Sequence, residues 1–250
     1  MTTEKFEDIS PPLFHRNQSS ISSPLSQWGH HRVELEKSAN FKIGKVEFII
    51  LPKIESLEIS YRYQQIENRL VTPIAPIALD ENNTLELRLL PTLPKHFLRL
   101  KLEASILVTG QSEATCFVTF PLNIKMTVPA FSRPLLEINS ELQKKTSSKN
   151  SKMIGHIHTT FCTMNPPAML GVSSQHAILP IRFKNETNKN IHIDNVEIDF
   201  TGASLFSQLD SYFTSQALIT FGQHRERLSW DNLSHYHQFD HFLVQSASRE

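Results

Sequence analysis

An unbroken alternation of apolar and polar residues runs from Val118 to Val128. Its apolar positions, which all fall on one side of an extended chain, are Val118, Phe120, Leu122, Ile124, Met126 and Val128. Side chains along a β-strand alternate between two faces, so the pattern predicts a strand with one buried face. Pro121 falls on the polar side, and because proline cannot donate a ladder hydrogen bond it indicates a sheet edge or a bulge.

A second alternating run, from Leu98 to Val108, precedes this strand. The sequence Gly110-Gln111-Ser112-Glu113 lies between the two runs and is typical of a turn. We therefore expect the two runs to pair as one long antiparallel hairpin. A slip of one residue would expose the whole apolar set, so the register should be tightly fixed.

Shorter alternating runs recur over most of the chain, at 33–35, 41–50, 54–63, 85–89, 154–161, 179–183, 191–200 and 218–221. Short strands separated by polar turns predict an antiparallel all-β fold, β-sandwich-like and built from two packed β units. The apolar parity changes across Asp194-Asn195, which indicates a bulge there. Residues 237–247 could form a short helix near the C-terminus.

Composition divides the 250 residues into five segments. Residues 1–25 are rich in serine and proline without periodicity, and we expect a disordered N-terminal arm. Residues 26–133 are predicted to form an N-terminal β domain, 134–152 a connecting segment that is polar from Gln143 to Lys152, and 153–225 a C-terminal β domain. Residues 226–250 form a polar, His-rich tail. Whether the two β units are separate domains or one continuous sandwich stays open at this point.

Composition also restricts the classes of function. The 25 Lys and Arg residues balance the 25 Asp and Glu residues, so no basic surface for nucleic acid is predicted. Only 7 glycines occur, without a GxGxxG or phosphate-loop motif, which argues against the common nucleotide-binding folds. There is no GxSxG motif to anchor a hydrolase triad. The partner predicted by this elimination is a protein.

The expected location is the cytoplasm. No secretory signal is visible at the N-terminus, and the apolar runs are too short to form a transmembrane segment. Cys116 and Cys162 are the only cysteines. They could be paired, but two thiols in a chain of this length are typical of a reducing compartment.

Seven short motifs together carry a family resemblance: Gln27-Trp28-Gly29-His30, Phe41-Lys42-Ile43-Gly44-Lys45-Val46-Glu47-Phe48, Phe120-Pro121-Leu122-Asn123-Ile124, Ile154-Gly155, Phe161-Cys162, Ile181-Arg182-Phe183-Lys184-Asn185-Glu186-Thr187 and Ser204-Leu205-Phe206. Over about residues 26–225 the chain resembles the prokaryotic domain-of-unknown-function family numbered four-three-two. The family has no established activity, so the resemblance implies an all-β protein and carries no catalytic residue. Relatives often lie near genes for small mechanosensitive channels, and this association implies a soluble regulator of a membrane channel.

The candidate metal ligands are His156, His158 and Cys162. Positions 156 and 158 share a face on a strand, so two imidazoles could hold one Zn²⁺, with Cys162, His176 or His192 as a third ligand. No carboxylate lies between His156 and Cys162, and no standard zinc spacing is met. The favoured interpretation is a polar strand face carrying two histidines, with no cofactor.

The leading functional hypothesis is a non-catalytic cytoplasmic binding or scaffolding module that acts through a sheet edge or its end loops. It rests on a large predicted core without a catalytic constellation, and no catalytic residue is assigned. One alternative is a metal- or small-ligand-binding enzyme or sensor that uses the strand of His156 and His158. The other is the soluble channel regulator that the resemblance implies. The oligomeric state is left open.

Overall fold

The computed structural model of the chain describes residues 28–63, 66–73, 79–95, 97–131, 133–139, 145–147, 154–160, 162–164, 175–208, 211–223, 225–231 and 242–245. Within these residues the backbone forms twenty strands and no helix, which confirms the predicted all-β class. No segment of this described part is therefore a helix long and apolar enough to cross a bilayer. The strands are β1 (Gly29–Glu34), β2 (Ala39–Ile43), β3 (Val46–Pro52), β4 (Ser56–Tyr63), β5 (Ile66–Pro73), β6 (Thr84–Thr92), β7 (Leu98–Val108), β8 (Ser112–Pro121), β9 (Asn123–Thr127), β10 (Leu136–Asn139), β11 (Lys145–Ser147), β12 (Ile154–Thr160), β13 (Cys162–Thr163), β14 (His176–Asn185), β15 (Ile191–Ile198), β16 (Leu205–Gln208), β17 (Ser211–Thr214), β18 (Gln216–Phe221), β19 (Glu226–Asp231) and β20 (Phe242–Gln245).

The strands form four sheets. Sheet A has the order β1-β6-β9-β10, sheet B the order β2-β3-β4-β5, and sheet C the order β11-β12-β7-β15. Sheet D has the order β13-β8-β14-β17-β16-β20, with β18 beside β14 and β19 beside β18. Most neighbours are antiparallel, as predicted, but β12 lies parallel to β7, and β14 lies parallel to both β17 and β18. Parallel neighbours need long connections, so the local sequence pattern does not reveal them.

The predicted hairpin of Leu98–Val108 with the strand that follows it is wrong. In the structure β7 pairs with β12 and β15 in sheet C, whereas β8 pairs with β13 and β14 in sheet D. The turn between them thus carries the chain from one sheet to the other. Alternation identifies the buried face of a strand, but it does not identify the neighbour that supplies its hydrogen bonds.

The run from Val118 to Val128 also changes sheet. All six of its apolar side chains are buried, as predicted. However, β8 ends at Pro121 and β9 begins at Asn123, in sheet A. The N–H of Leu122 between them donates to the main-chain oxygen of Gln175 over 2.9 Å. Pro121 thus marks the corner at which one apolar stripe leaves sheet D for sheet A.

One hydrophobic cluster joins residues from all four sheets, from Trp28 to Ile219 along the chain. Its largest fully buried side chains include Phe48, Phe120 and Phe183. Each such side chain contributes about 1.5–3 kcal/mol of transfer free energy on burial. Sheets C and D each contain strands from before and after the connecting segment 134–152, so strand pairing and the hydrophobic core both link the two predicted β units.

Two further predictions can be compared with the strands. The irregularity expected at Asp194-Asn195 is confirmed, because the β15–β7 register shifts between Ile193 and Asn195, although the extra residues lie on β7, at 102–105. The short helix considered for residues 237–247 is wrong where that segment is described, since Phe242–Gln245 is β20. The N-terminal arm, residues 1–25, lies outside the described residues.

Candidate functional site

The histidine strand is β12, which lies parallel to β7 with His156 opposite Leu98 and His158 opposite Leu100. The side chain of His158 is buried, at 9% exposure. Its ring centroid lies 6.1 Å from that of His176, the first residue of β14. The structure therefore brings together two imidazoles from sheets C and D. The side chain of His156 lies outside what the structure describes.

The remaining predicted ligands lie elsewhere. His192 is exposed on β15, opposite Leu107. Cys162 lies in β13, opposite Val118 of β8. In the described part of the chain, no three His, Cys, Asp or Glu side chains are grouped so that they could hold a metal ion. A zinc site that includes His156 therefore stays a prediction.

Cys162 contacts the other cysteine of the chain. Residues two apart on a strand share a face, so Cys116 faces the same way as Val118 and lies diagonally across from Cys162. Cys116 is fully buried, whereas Cys162 is half-buried and packs against the core. The side-chain hydrogen bond between the two thiols, with Cys116 as the protonated partner, is the largest influence on the pKa of each.

This hydrogen bond separates the acidities of the two thiols. Together with burial, it raises the pKa of Cys116 far above its ordinary value. The same hydrogen bond lowers the pKa of Cys162, because it stabilises the thiolate that accepts it. The sequence pattern does not predict that Cys116 and Cys162 are neighbours, because β13 has only two residues and the chain changes sheet just before it.

The outer face of sheet B carries a ladder of alternating charge. The register aligns Lys42, Glu47, Arg62 and Glu67 across β2, β3, β4 and β5. Arg62 Nη2 lies 2.5 Å from Glu47 Oε2, and Lys42 Nζ lies 3.7 Å from Glu47 Oε1. The hydrogen bond from Arg62 is the main cause of a lowered pKa at Glu47.

Apolar side chains interrupt this charged face. Ile49 and Val71 are 51% and 54% exposed. In the register Val71 lies opposite Glu58, which itself lies opposite Leu51. Glu58 accepts a hydrogen bond from Arg69 Nη2 at 2.8 Å and a further hydrogen bond from Lys53. The outer face of sheet B therefore combines paired charges with exposed apolar groups.

The margin of this face is β5, an edge strand. It pairs with β4 over its full length of eight residues without a shift in register. Among the described residues, β4 is its only strand neighbour. The other edge strands of the described part are six residues or shorter, except β15, whose pairing with β7 is interrupted by a shift in register. The longest regular edge in this part of the protein is therefore β5.

The chain was compared with models of known protein families. The family described as "Protein of unknown function (DUF432)" matches residues 27–233. The chain belongs to DUF432. No curated protein and no solved structure matches the chain significantly.

In this DUF432 protein, the motif residues that the structure explains lie at corners and turns. Gly44, in the turn between β2 and β3, has a φ of +60°, and a Cβ there would lie 2.2 Å from the Gln175 Oε1 atom. Pro121 lies at the corner between sheets D and A. The Asn185 side chain holds the turn that follows β14. In this chain these three residues therefore have structural roles at turns and at a corner of the fold.

Proposed function

We propose that this protein is a non-catalytic cytoplasmic binding or scaffolding module, and that it binds a protein partner by strand addition at β5. In strand addition an extended peptide pairs with a sheet edge, where main-chain hydrogen bonds supply affinity and alternate side chains supply specificity. The observation that carries the proposal is the regular eight-residue edge of sheet B.

The protection of the other edges supports the choice of β5. Natural sheets block edge-to-edge pairing with bulges, short strands, prolines and charges. The edge strand β15 is protected by a break in its register with β7 at Asp194, whose exposed carboxylate lies in the middle of the strand. In β5 the only proline is Pro73, the last residue of the strand. Its central backbone thus has neither a proline nor a bulge.

The side chains of β5 define the chemistry of the partner. Glu67, Arg69 and Val71 alternate on its exposed face. Arg69 already donates to Glu58, so the carboxylate of Glu67 and the apolar Val71 are the groups that a new strand would complement. Opposite charges and apolar groups directly across two strands each contribute about 0.2–1 kcal/mol. The expected partner is an extended segment with a basic residue opposite Glu67 and an apolar residue opposite Val71.

The experiment is affinity capture with the tagged full-length chain, followed by identification of bound proteins by mass spectrometry. The test variant is Val71→Lys, which places a charge on the exposed edge without altering the core. The matched control is His192→Lys, an exposed position on the edge strand β15. Both variants should retain the unfolding temperature of the wild type.

We expect proteins captured by the wild type and by His192→Lys to be depleted about tenfold by Val71→Lys, which corresponds to about 1.4 kcal/mol of lost binding free energy. Amide hydrogen exchange should then show added protection in β5 when the identified partner is bound. Equal capture by all three proteins would contradict a binding role for β5.

A second candidate function is metal or small-ligand binding at β12, which the neighbouring rings of His158 and His176 favour. Imidazole nitrogen is a common ligand for zinc. Zinc titration of the purified chain, compared with His158→Ala, tests it. Stoichiometric binding lost in the variant supports this function, and binding that is unchanged by the substitution counts against it.

A further inference from the structure

The only two cysteines of the sequence meet across two neighbouring strands, although they are far apart in the chain. Cys116 is fully enclosed in the core, and Cys162 is reachable from solvent at the margin of sheet D. A thiol that is accessible and stabilised as thiolate reacts fastest with oxidants, whereas an enclosed thiol is inert until its neighbour is modified. The two positions therefore suit the two successive steps of a thiol oxidation.

We propose that Cys162 and Cys116 form a peroxide-reactive thiol pair, in which Cys162 is oxidised first and Cys116 resolves the product as a disulfide. In the first step the Cys162 thiolate attacks one peroxide oxygen and the O–O bond breaks. Cys162 becomes a sulfenic acid, and the departing hydroxide takes a proton and leaves as water.

In the second step the sulfur of Cys116 gives up its proton and attacks the Cys162 sulfur. The S–O bond breaks, an S–S bond forms, and hydroxide leaves as a second water. In sum, two thiols and one hydrogen peroxide give one disulfide and two waters. The register of β13 on β8 already holds the Cys116 side chain beside the sulfur that it attacks.

Strand geometry decides which part of the protein moves in the second step. Diagonal positions on antiparallel strands lie about 7–8 Å apart, whereas a disulfide requires Cα atoms within about 6.8 Å. A shift of roughly 1 Å is therefore needed. β13 can make it, because it has two residues and its one described strand neighbour is β8. β8 is held between β13 and β14, with ten register pairs to β14.

The test treats the reduced, full-length protein with hydrogen peroxide and maps the products by peptide mass spectrometry. We expect a disulfide between Cys116 and Cys162 as the main product, reversed by dithiothreitol. In Cys116→Ser the sulfenic acid should persist on Cys162 and react with dimedone. If Cys116→Ser does not fold, the dimedone experiment is repeated with Cys116→Ala, which does not bury a hydroxyl group.

The reactivity of the first thiol is measured separately. Iodoacetamide should alkylate Cys162 at least about tenfold faster than Cys116 in the native chain. Oxidation of Met164, which is 60% exposed, calibrates the peroxide dose in every sample. The proposal is overturned if Cys162→Ser consumes peroxide as fast as the wild type, or if Cys162 passes to sulfinic acid without disulfide. These readouts do not depend on β5, so either proposal can fail without the other.

Discussion

Asn185 Nδ2 donates a hydrogen bond to the main-chain oxygen of Val108 over 3.1 Å, and so joins the end of β14 to the end of β7. The same amide nitrogen donates to the main-chain oxygens of Thr109 and Lys189, at 2.9 and 2.7 Å. The amide oxygen accepts from the N–H of Thr187 at 3.0 Å. One buried side chain therefore fastens two turns from distant parts of the chain.

We expect Asn185→Ala to lower the free energy of unfolding by about 1–3 kcal/mol, because buried main-chain groups lose their partner. Asn185→Asp should be at least as destabilising, since a carboxylate has no N–H to donate to these carbonyl oxygens. Urea denaturation followed by fluorescence measures both variants. Asn40→Ala, at an exposed position, is the control. A loss at Asn185 no larger than at Asn40 would contradict this role.

The same pair of turns predicts a steric effect at Gly110. A Cβ at this position would lie 2.7 Å from the backbone carbon of Asn188, which cannot move aside as a side-chain end can. Gly110→Ala should therefore force the turns apart and cost about 1–3 kcal/mol of stability.

Gly222→Ala is the matched control, because its Cβ would approach no closer than 3.5 Å, to the oxygen of Arg225. Its effect should stay within about 0.5 kcal/mol. Equal denaturation midpoints for the Gly110 and Gly222 variants would refute the close approach of the two turns.

Tyr212 should make the fold sensitive to alkali. Burial raises the pKa of its phenol from 10.0 to about 12. The unfolded chain therefore releases this proton first, so the stabilisation is complete below pH 10.0 and is lost as the pH rises to about 12.

Tyr212→Phe keeps the edge-to-face contact with Trp28, whose ring centroid is 6.5 Å away. It should unfold at a higher pH than the wild type in a titration followed by circular dichroism. An unchanged alkaline midpoint would show that the phenol contributes nothing to this transition.

The charge ladder of sheet B should weaken in acid. The hydrogen bond from Arg62 lowers the pKa of Glu47 below its ordinary value of 4.5. The folded state then binds fewer protons than the unfolded state, so the stabilisation is present above pH 4.5 and falls as the pH drops through the lowered pKa. Glu47→Gln should flatten the decline of the unfolding temperature below pH 4.5.

Because the ladder is exposed, 1 M salt should reduce the difference between Glu47→Gln and the wild type. Glu55→Gln, an exposed glutamate outside the ladder, provides the comparison. The prediction fails if both variants follow the same pH profile.

These features differ in how far the sequence predicts them. The irregularity near Asp194 was predictable, because a parity change is a local property of the strand. The turn around Asn185 was also predictable, but its attachment to Val108 was not, since the partner lies in another turn. Similarly, the burial of Val118 follows from alternation, whereas its position opposite Cys162 depends on a strand of two residues.

For the candidate site, too, the sequence predicts local features but not contacts between distant segments. The sequence predicts that His156 and His158 share a strand, but it leaves open which other group they meet. The nearness of His158 to His176 comes from the packing of sheet C against sheet D, which no local pattern contains. The motifs that carry the family resemblance include corner residues such as Pro121. They therefore inform the fold, but they do not identify a ligand.

The consecutive strands β7 and β8 lie in different sheets, and this has a consequence for folding during synthesis on the ribosome. Sheet B consists of four strands that follow one another in the chain, so it can assemble once residues 39–73 have emerged. β7 and β8 pair only with strands that follow them in the chain. β7 therefore has no strand neighbour until β12 is made and β8 none until β13 is made, and the set is complete only when β15 has been synthesised. Pairings this distant close slowly and leave apolar surface open to aggregation. The nascent chain therefore passes through an interval in which sheet B can already fold while β7 and β8 still lack their strand neighbours.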